Sequence, residues 1–588
     1  MKFDVKDDKL APNDSNRIVK GTLIIIPDMK KKNFSLPSGS CTGIIILFLG
    51  IMFYCLFKFI FNSSIQKLGC LSKDRFLFFV NLNFNMSKME EIQKICLNRG
   101  IIFPTAEIYS NISGFYDYGP VGVLLKRKLI EYWRDFFVKS EDNIYEMDGC
   151  IVLPEKVFEA SGHLKSFVDP IAQCKKCKSI IRADDLIMEK TGKFVEGKSP
   201  KELTEIIIQN KIKCPVCGGE LSDVKMFNLM LKTEISPVGG KTAYLRPETA
   251  QNIFTSFPRI FRATRAKLPF GIAQVGHSFR NEISPRHFIV RVREFNQTEI
   301  EMFYDPEHQE CPKFDKVKKN KIIIVTRETQ KKESEPIKIT IEDAVKKKII
   351  PNQWMAYLMA KEFEFYKSLG IPEEALRFRH MLPEETPHYS GGNIDLEIKF
   401  DFGWKETIGN AYRTDHDLKN HMKLSGKDMT VLTDDGRKIM PHVVEPSFGV
   451  ERTLMGIFLH CFVEDKQRGW NWFKFPAKIA PYTAAVFPLV NKDKIPEEAE
   501  EVYEILKKCF DVFYDDGGSI GRRYARADEI GTLFSVTIDY DSLDKKTCTI
   551  RDRDTTKQII VKIDELVSVL NKLVNEEMEF EKAGKLKK

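Results

Sequence analysis

Helical spacing of apolar positions predicts three helices in the main body of this chain. Apolar residues recur at this spacing from Met89 to Cys96, and again over residues 121–138 after the turn Tyr118-Gly119-Pro120. The second stretch predicts an amphipathic helix that begins at the proline, and a strand-like stretch up to Pro154 follows it. A further long helix is predicted to begin near Gly449.

Runs with strand character occupy much of the region between these helices. They cover residues 243–245, 271–279, 288–295 and 299–303, and a later group covers 394–400 and 442–444. Because these strands succeed one another without intervening helices, they predict an antiparallel sheet. We therefore predict an α+β domain over residues 86–475.

The pattern changes after Pro476. Apolar runs at 484–490, 512–514 and 533–538 alternate with helical segments at 497–510 and 564–574. This alternation is typical of α/β domains with a mixed sheet. Residues 476–588 are therefore predicted to form a separate domain.

Composition agrees with a folded protein of several domains. The chain has 588 residues, of which 43% are hydrophobic and 30% charged. These values exclude a small peptide, a fibre and a disordered chain, and the length predicts two to four domains. The net charge is +8, but residues 1–85 carry 12 Lys+Arg against 6 Asp+Glu. The rest is nearly neutral, so any RNA-binding surface must consist of local patches.

The first 85 residues differ from the rest of the chain. They contain no glutamate, and an apolar run over residues 43–61 is broken only by Lys58. A run of this length can span a bilayer, and the lysines at 30–32 would act as a positive flank. Met86, however, stands directly before the first helical pattern, where a soluble domain would begin. Two interpretations stay open, a misassigned start and a translated anchor or targeting segment.

Thirteen cysteines occur, including two C-x-x-C pairs inside a predicted insertion at 170–225. The two-residue gap lets both thiolates of a pair face one tetrahedral ion, so one structural Zn²⁺ held by all four is predicted. The long gap between the pairs leaves open a degenerate site, or redox or packing cysteines. Isolated cysteines together with a metal site favour a reducing compartment, the cytoplasm. The pairs consist of Cys174, Cys177, Cys214 and Cys217.

Arginines and carboxylates cluster in two distant strings. The first is Phe279-Arg280-Asn281-Glu282, followed by a loop and Arg291-Val292-Arg293-Glu294-Phe295. Two strands joined by such a loop form a hairpin on which Arg280 and Arg291 can converge on a polyanion. The second is Glu445-Pro446-Ser447-Phe448-Gly449-Val450-Glu451-Arg452, where glycine at a helix start permits close ligand approach. Either string alone is also typical of a solvated charged surface.

Together the two strings resemble motifs 2 and 3 of class II aminoacyl-tRNA synthetases, with the helix and strand of residues 121–154 in the place of motif 1. The closer resemblance is to the homodimeric type of glycyl-tRNA synthetase, and it extends over about residues 89–577. It is carried by further strings: Glu159-Ala160-Ser161-Gly162-His163, Leu245-Arg246-Pro247-Glu248-Thr249-Ala250-Gln251, Ser519-Ile520-Gly521-Arg522-Arg523-Tyr524, Asp528-Glu529-Ile530-Gly531-Thr532 and Arg551-Asp552-Arg553-Asp554.

The resemblance implies a catalytic domain on a six- or seven-stranded antiparallel sheet, a C-terminal anticodon-binding domain and a homodimer. The implied reaction joins glycine to ATP as glycyl-adenylate, with pyrophosphate released, and then passes glycine to tRNA(Gly). Arg280, Glu282 and Arg452 are implied as catalytic residues, with Mg²⁺ contacted through Glu406. The implied ATP site consists of Arg280, Asn281, Glu282, Arg291, Val292, Phe295, Glu406, Thr407, Gly449 and Arg452.

Several carboxylates are implied around the amino-acid pocket, where they would hold an ammonium group and leave little room for a side chain. The implied glycine site consists of Glu248, Glu299, Glu445, Pro446 and Ser447, with Gln297 beside it and Arg182 reaching in. The implied tRNA-binding residues are Arg522, Arg523, Arg526, Arg551 and Arg553. An ordinary surface charge is the competing interpretation for each arginine.

Two local questions and three alternatives for the whole chain stay open beside this interpretation. His163 is either a hydrogen-bonded core residue or a substrate contact, and the lysine-rich stretch 305–350 is either a solvated insertion or a tRNA contact. The whole chain would alternatively charge another small amino acid, or serve as a synthetase-like accessory protein without chemistry. A membrane-anchored RNA-binding module rests on residues 43–61 alone.

Overall fold

A computed structural model describes residues 87–587, except 111, 194, 196, 238, 384 and 387–389. The apolar segment 43–61 and both interpretations of residues 1–85 lie outside the described residues. In the part of the chain that is described, no helix has the length and apolar character needed to cross a bilayer.

A nine-stranded sheet forms the centre of the larger domain. Six consecutive strands, from Leu376–His380 to Phe270–Phe279, are antiparallel as predicted. Three outer strands bring the sheet to nine, and each end adds one parallel pair. From edge to edge the strands are Ile337–Thr340, Lys321–Val325, Leu376–His380, Ile394–Phe400, Gly403–Thr414, His442–Gly449, Glu294–Tyr304, Phe270–Phe279 and Ile144–Met147.

Both faces of this sheet are covered, which explains why its central strands are almost continuously buried. Phe254 and Phe257 of helix Ala250–Ala263 pack on one face, here called the front. On the opposite, back face, Phe137 contacts Phe365 and Phe448. Each strand therefore contributes alternate side chains to two separate hydrophobic layers.

The predicted helices are present. The stretch predicted at 121–138 consists of an α-helix, Pro120–Trp133, which continues as a π-helical turn, Arg134–Lys139. The helix predicted near Gly449 runs over Val450–Cys461. The remaining helices of the larger domain are Lys88–Asn98, Glu155–Ala160, His163–Ser166, Ala183–Thr191, Pro200–Gln209, Ala250–Ala263, Arg327–Lys331, Ile341–Lys346, Gln353–Ser368 and His416–Ser425.

The lysine-rich stretch 305–350, for which a solvated insertion and a tRNA contact were both left open, contributes two strands to the large sheet. Its strands Lys321–Val325 and Ile337–Thr340 pair with each other, and the first also pairs with Leu376–His380. Ile322, Ile324 and other apolar side chains of the stretch are buried in the main core. Each strand carries one exposed lysine, Lys321 and Lys338, and most of the lysines lie outside the two strands, so composition alone concealed an edge hairpin.

The cysteine module, residues 168–228, has a small core of its own. Strand Val168–Gln173 pairs with Ile180–Arg182 on one side and Lys225–Asn228 on the other. Ser199 caps helix Pro200–Gln209 in a capping box with Glu202. Leu186, Ile187, Leu203 and Ile207 form the centre of its core. The predicted insertion at 170–225 therefore corresponds to a distinct packed unit.

The C-terminal domain has the predicted α/β character. Its six-stranded sheet is parallel at one end and antiparallel at the other. In spatial order the strands are Val512–Tyr514, Ala484–Pro488, Phe534–Ile538, Thr547–Asp552, Gln558–Lys562 and Lys585–Leu586. The helices are Ile495–Lys507, Ile520–Glu529, Tyr540–Lys545 and Leu566–Val574.

Four short sheets complete the chain. Three are two-stranded, and one has three strands and carries the segment that leads into the site. Their strands are Ile102–Pro104 with Tyr116–Tyr118, Val431–Leu432 with Lys438–Ile439, Phe462–Val463 with Trp472–Phe473, and Val152–Pro154, Lys241–Leu245 and Leu231–Ile235.

Glu362→Gln is expected to stabilise the protein at alkaline pH. Glu362 is fully buried on helix Gln353–Ser368, and burial raises its pKa to about 8 against the hydrogen bond from Asn410 Nδ2 at 2.8 Å. A raised carboxyl pKa contributes stability that is full below about 4.5 and is lost as the pH rises through 8. Glutamine stays neutral, so the variant should gain on the order of 3 kcal/mol at pH 9 and about nothing at pH 5. Urea unfolding at both pH values measures this.

Candidate active site

A hairpin forms the base of the site. Strands Phe270–Phe279 and Glu294–Tyr304 pair so that Phe279 lies opposite Glu294. The prediction of a strand at 288–295 is wrong, because His287 and Phe288 have positive φ angles and open a short 3-10 turn. Arg291 therefore lies in the connecting loop, from which it can reach back toward the end of the first strand.

A cleft opens over the end of this hairpin. It brings together nine of the ten residues predicted for ATP, from three regions far apart in the sequence. Asn281 is the exception: its backbone N–H donates to Leu229 O at 2.7 Å, and it is not among the lining residues. The lining consists of Arg280, Glu282, Ile289, Val290, Arg291, Val292, Phe295, Gln297, Glu406, Thr407, Ser447, Gly449, Glu451 and Arg452.

Two arginines, Arg280 and Arg452, line the cleft. Arg280 donates from Nε to Pro247 O at 3.2 Å, and its guanidinium lies 5.3 Å from the centre of the Phe295 ring. Arg452 donates to Val290 O and Glu406 O, at 3.1 and 2.9 Å. Carbonyl oxygens thus fix both guanidinium groups, and Arg452 also pairs with the Glu406 carboxylate at 3.2 Å. Guanidinium groups held in this way are suited to bind an anion.

Glu282 and Arg291 form an ion pair at 2.6 Å, and both are largely buried. Arg291 also lies 3.9 Å from Asp169 and 3.8 Å from Asp185 of the cysteine module. Burial raises the pKa of Asp169, and the positive charge of Arg182 opposes this rise. The module therefore contacts the loop that lines one side of the cleft. The sequence did not suggest this contact.

Glu406 lines the cleft, and two buried carboxyl groups, Glu397 and Asp395, lie on the strand next to it. Glu406 pairs in register with Glu397 on the neighbouring strand, and Arg452 Nη1 lies 3.2 Å from Glu406. Burial raises the pKa of Asp395 well above its usual range, and Glu406 and Glu397 add to this effect. Carboxylate oxygens are what Mg²⁺ prefers, so these residues fit that ion. The hydroxyl of Thr407 instead donates to Leu396 O, at 3.1 Å.

A second set of acidic groups lies deeper, on the front face of the sheet. Glu299 and Glu301 alternate with apolar residues on strand Glu294–Tyr304, and Glu445 lies on the adjacent strand. Oxygens of these three carboxyl groups all lie within 4.8 Å of one another. We call this set, together with Glu248, the carboxylate pocket. Gln297 connects it to the cleft by donating to Ser447 Oγ at 3.0 Å.

Arg413 is the cation of the carboxylate pocket, and the sequence analysis missed it. It is 2% exposed and donates to Glu445 at 2.6 Å and to Asp417 at 2.8 and 3.0 Å. Its Nη2 also lies 3.8 Å from Glu248. The signal was missed because no strand was predicted at 403–414, where polar side chains alternate with buried small and apolar residues.

The electrostatics of the carboxylate pocket divide its members into two kinds. Burial, together with the charges of Glu445 and Glu248, raises the pKa of Glu299 to about 8. Burial also opposes ionisation of Glu248, but His163 and Arg413 more than offset it and hold its pKa below the usual range. Ionised and protonated carboxyl groups thus lie side by side.

Arg182 and Pro446 take other places than the implied glycine site, and His163 has features of both interpretations left open for it. Arg182 contacts Asp169 at 3.1 Å and Asp184 at 2.8 Å rather than the carboxylate pocket. His163 is buried and bonded to Ser161 at 2.7 Å, as a core residue would be, yet its Nε2 also lies 3.5 Å from Glu248. Pro446 lies in a strand opposite Asn410, where it separates Glu445 from Ser447.

The four cysteine sulfurs of the module converge. Cys174 Sγ lies 3.5 Å from Cys217 Sγ, Cys177 Sγ lies 3.7 Å from Cys214 Sγ, and all four lie within 4.8 Å of one another. A tetrahedral Zn²⁺ at ~2.3 Å from each sulfur sets them ~3.8 Å apart, whereas a disulfide needs ~2.05 Å. These residues therefore fit a zinc ion better than disulfides. Gly219 permits the approach, since a Cβ there would lie 3.0 Å from Cys174 Sγ.

Most arginines predicted to bind tRNA are buried. Arg523 donates to the carbonyl oxygens of Pro488 and Gly518, and Arg551 donates to both oxygens of Asp528 at 2.8 and 2.9 Å. Arg553 donates to Gly531 O and Phe475 O, each at 2.9 Å. The prediction is corrected for these three, whose guanidinium groups stabilise the domain. Arg526 pairs with Asp515 and is partly buried, and Arg522 is exposed.

Comparison with known protein families agrees with this division of the chain. Residues 234–460 match the family described as "tRNA synthetase class II core domain (G, H, P, S and T)". Residues 483–573 match the family described as "Anticodon binding domain". The first match contains the cleft and the carboxylate pocket, and the second contains the C-terminal sheet.

Curated relatives and a solved structure extend the comparison. The chain is 39% identical over 560 residues to glycine–tRNA ligase of Methanothermobacter thermautotrophicus, covering 82% of this chain and 99% of that protein. It is 40% identical over 565 residues to glycine–tRNA ligase of Pyrococcus furiosus, covering 83% and 99%. A prolyl-tRNA synthetase from Cryptosporidium parvum shares the fold, with TM-score 0.50 and 14% identity over 82% of this chain and 75% of that one. The chain belongs to the glycine–tRNA ligase family of class II aminoacyl-tRNA synthetases.

Proposed function

We propose that this protein is a glycine–tRNA ligase. It joins glycine to ATP, releasing pyrophosphate, and transfers the glycyl group from the adenylate to the 3′ end of tRNA(Gly). The carrying observation is the placement of an arginine-lined cleft directly beside the carboxylate pocket, with Gln297 and Ser447 between them. A site for a polyphosphate and a site for an ammonium group thus share one wall.

The cleft residues suit activation by positioning and charge stabilisation. The glycine carboxylate attacks the α-phosphorus in line, and Arg280 and Arg452 bind the negative charge that accumulates there. Phe295 offers a flat face for the adenine base. Glu282 remains bonded to Arg291, so its carboxylate is oriented toward the base rather than free to rotate. No general base is required for this step, because the attacking carboxylate is already ionised.

The metal ion of this step is proposed at the outer edge of the cleft. When bound, Mg²⁺ would neutralise part of the negative charge of the phosphates. Glu406 is the proposed contact, with Glu397 and Asp395 beside it. The raised pKa of Asp395 supports the assignment, since a cation is what would let these neighbouring carboxyl groups ionise together.

Specificity for glycine is proposed to come from exclusion. Glu248, Glu299 and Glu445 bind the ammonium group, and their own bulk fills the space that a side chain would need. A pocket excludes larger substrates far better than smaller ones, since one missing methylene changes binding by only ~1–3 kcal/mol. Glycine has no smaller competitor among the amino acids, so a second, editing site is not required.

The tRNA is proposed to lie along the C-terminal domain, whose family is described as anticodon-binding. Arg522 is exposed near the start of helix Ile520–Glu529 and is the arginine we propose to contact RNA; Arg526 lies one turn further.

We further propose a homodimer, because the large apolar side chains of Ile108, Tyr109 and Ile112 are exposed before the helix Pro120–Trp133. Free thiols at Cys150 and Cys509 support a cytoplasmic location.

Zinc is proposed to be structural in the cysteine module, since four thiolates leave no open position for chemistry. Protein as purified should contain about one Zn²⁺ per chain, and Cys214→Ser should lower this to near zero. Helices Ala183–Thr191 and Pro200–Gln209 should then exchange amide hydrogens faster, while the large sheet stays protected. Metal analysis and hydrogen exchange measure both effects. Cys509→Ser, at an exposed cysteine outside the cluster, should leave them unchanged.

The function is tested by amino-acid-dependent ATP–pyrophosphate exchange, with each of the twenty amino acids offered separately. Glycine alone should support exchange, and charging of a tRNA transcript with glycine should follow. Exchange with a different amino acid would keep the fold and overturn the assignment of the pocket. Exchange with none, in folded protein supplied with Mg²⁺, would support an accessory role without chemistry.

A further inference from the structure

Glu301 has no place in the proposed mechanism, yet it is the most deeply buried acid of the carboxylate pocket, with no exposed surface. The register that pairs Glu299 with Ser447 and Met302 with Val444 puts Glu301 opposite Glu445. Among the described residues, neither oxygen of Glu301 has a donor group in hydrogen-bond geometry. Its carboxyl group faces another carboxyl group, that of Glu445, within hydrogen-bond reach. Two carboxylates cannot bond to each other, so one of them must carry a proton.

The position of Arg413 determines which of the two carboxyl groups, Glu301 or Glu445, carries the proton. Arg413 donates to Glu445 at 2.6 Å, so Glu445 is the member whose negative charge is compensated. Glu301 therefore keeps the proton and donates it to Glu445, and its pKa lies well above the usual range because of burial and the charge of Glu445. Replacement of this donor would leave Glu445 with one fixed partner instead of two.

Glu299 carries a second proton in the same pocket. It accepts a hydrogen bond from Thr249 Oγ1 and is 1% exposed. An ionised Glu299 would add a second negative charge, beside that of Glu445, to three carboxyl groups whose oxygens lie within 4.8 Å of one another, in a buried region. An ammonium group that enters beside Glu299 brings a positive charge, which favours the ionised form of Glu299 instead. The charged and titratable groups that face the pocket are Glu248, Glu299, Glu301, Glu445, Asp417, Arg413, Arg246, His163 and His421.

We infer that Glu301 is a positioning residue that permanently holds a proton for Glu445, and that entry of an amino-acid ammonium group expels the proton of Glu299 to solvent. The inference rests on the proposed function, since glycine is the ligand. In the binding step, neutral Glu299 and zwitterionic glycine become a carboxylate–ammonium pair and one free proton. No bond other than the O–H bond of Glu299 breaks.

Calorimetric titration of glycine into the full-length protein tests this inference, in buffers of low and high ionisation enthalpy at pH 7. Close to one proton should be released per glycine. The affinity should rise up to ~10-fold per pH unit between pH 6 and the pKa of Glu299, about 8, and then level off. Glycine binding with no proton release and no pH dependence would overturn the inference alone. If the protein neither binds glycine nor shows glycine-dependent exchange, the proposed function itself would be overturned.

Two substitutions separate the role of Glu301 from that of Glu299. Glu301→Gln keeps a donor toward Glu445, so glycine affinity should stay within ~3-fold and the released proton should remain. Glu301→Leu removes the donor and should weaken binding ~10- to 100-fold, the effect expected for a hydrogen bond to a charged group. Loss of proton release in Glu301→Gln, or unchanged affinity in Glu301→Leu, would contradict the assignment.

Glu362→Gln is the matched control. Glu362 is also a fully buried glutamate with a pKa of about 8, but it contacts Asn410, which points to the back of the sheet. Its neighbour Ala411 pairs with Glu445, so the two faces alternate at this position. The number of protons released per glycine should be the same in this variant as in the natural protein. If Glu301→Leu does not fold, the Gln variant and the proton count decide the question without it.

Discussion

Arg280→Ala is expected to lower glycine-dependent ATP–pyrophosphate exchange by at least ~100-fold while leaving the fold intact. Arg280 lines the cleft with its charge uncompensated, held by Pro247 O and the face of Phe295. Removal of a group that stabilises charge in a transition state costs ~100- to 1000-fold in rate. The loss should appear in kcat and in kcat/KM together, because the charge develops as the phosphorus is attacked.

Arg259→Ala provides the control for this prediction. Arg259 is an exposed arginine on helix Ala250–Ala263, on the same side of the sheet. Its removal changes the net charge by the same amount without changing the cleft, so exchange should stay within ~2-fold, as expected for an ordinary surface substitution. Near-normal exchange in Arg280→Ala would refute the role assigned to this residue.

Arg413→Gln should have the largest effect on stability. The substitution leaves Asp417 and Glu445 buried, at 2% and 7% exposure, without the cation between them. Breaking a buried ion pair from one side costs ~3–5 kcal/mol, because the remaining charge is uncompensated. Urea unfolding at pH 7 measures the loss. Glycine binding should fall with it, since Glu248 and Glu445 lose the charge that keeps them ionised.

A second substitution distinguishes charge from shape in this prediction. Arg413→Gln combined with Asp417→Asn removes one of the two uncompensated carboxylates, so the pair should cost less than the sum of the single changes. Arg127→Gln, which breaks an exposed pair with Asp511, should cost no more than ~1 kcal/mol. Equal losses in Arg413→Gln and Arg127→Gln would contradict the assignment of Arg413 as the charge-compensating residue.

The sequence allowed accurate prediction of elements whose pattern is local. The helix after Pro120, the strand 394–400 and the helix after Gly449 were predicted close to their observed bounds. Strand Gly403–Thr414 escaped prediction because its polar side chains are buried by contacts with distant residues. The strands within the lysine-rich stretch 305–350 were also not predicted, for the opposite reason. Few of its residues are apolar, but these few are enough to complete an edge of the sheet.

The candidate site shows the same division. Arg280, Glu282, Phe295 and Arg452 were found by motif spacing, and all four line one cleft. Arg413 and Asp169 were not found, because their roles depend on pairs with residues far along the chain. Arginines at 523, 551 and 553 had the spacing of a binding surface but are buried by the tertiary packing.

By itself the sequence determined which chemical groups this protein has and, through periodicity and motif spacing, the elements that carry them. Only the tertiary structure decided which of these groups are buried and which face one another. The physical reason is that burial and charges within a few ångströms determine whether a carboxyl group is protonated. Glu301 and Glu445 come within that distance only when two strands distant in sequence pair. The charge state of the carboxylate pocket is therefore a property of the fold.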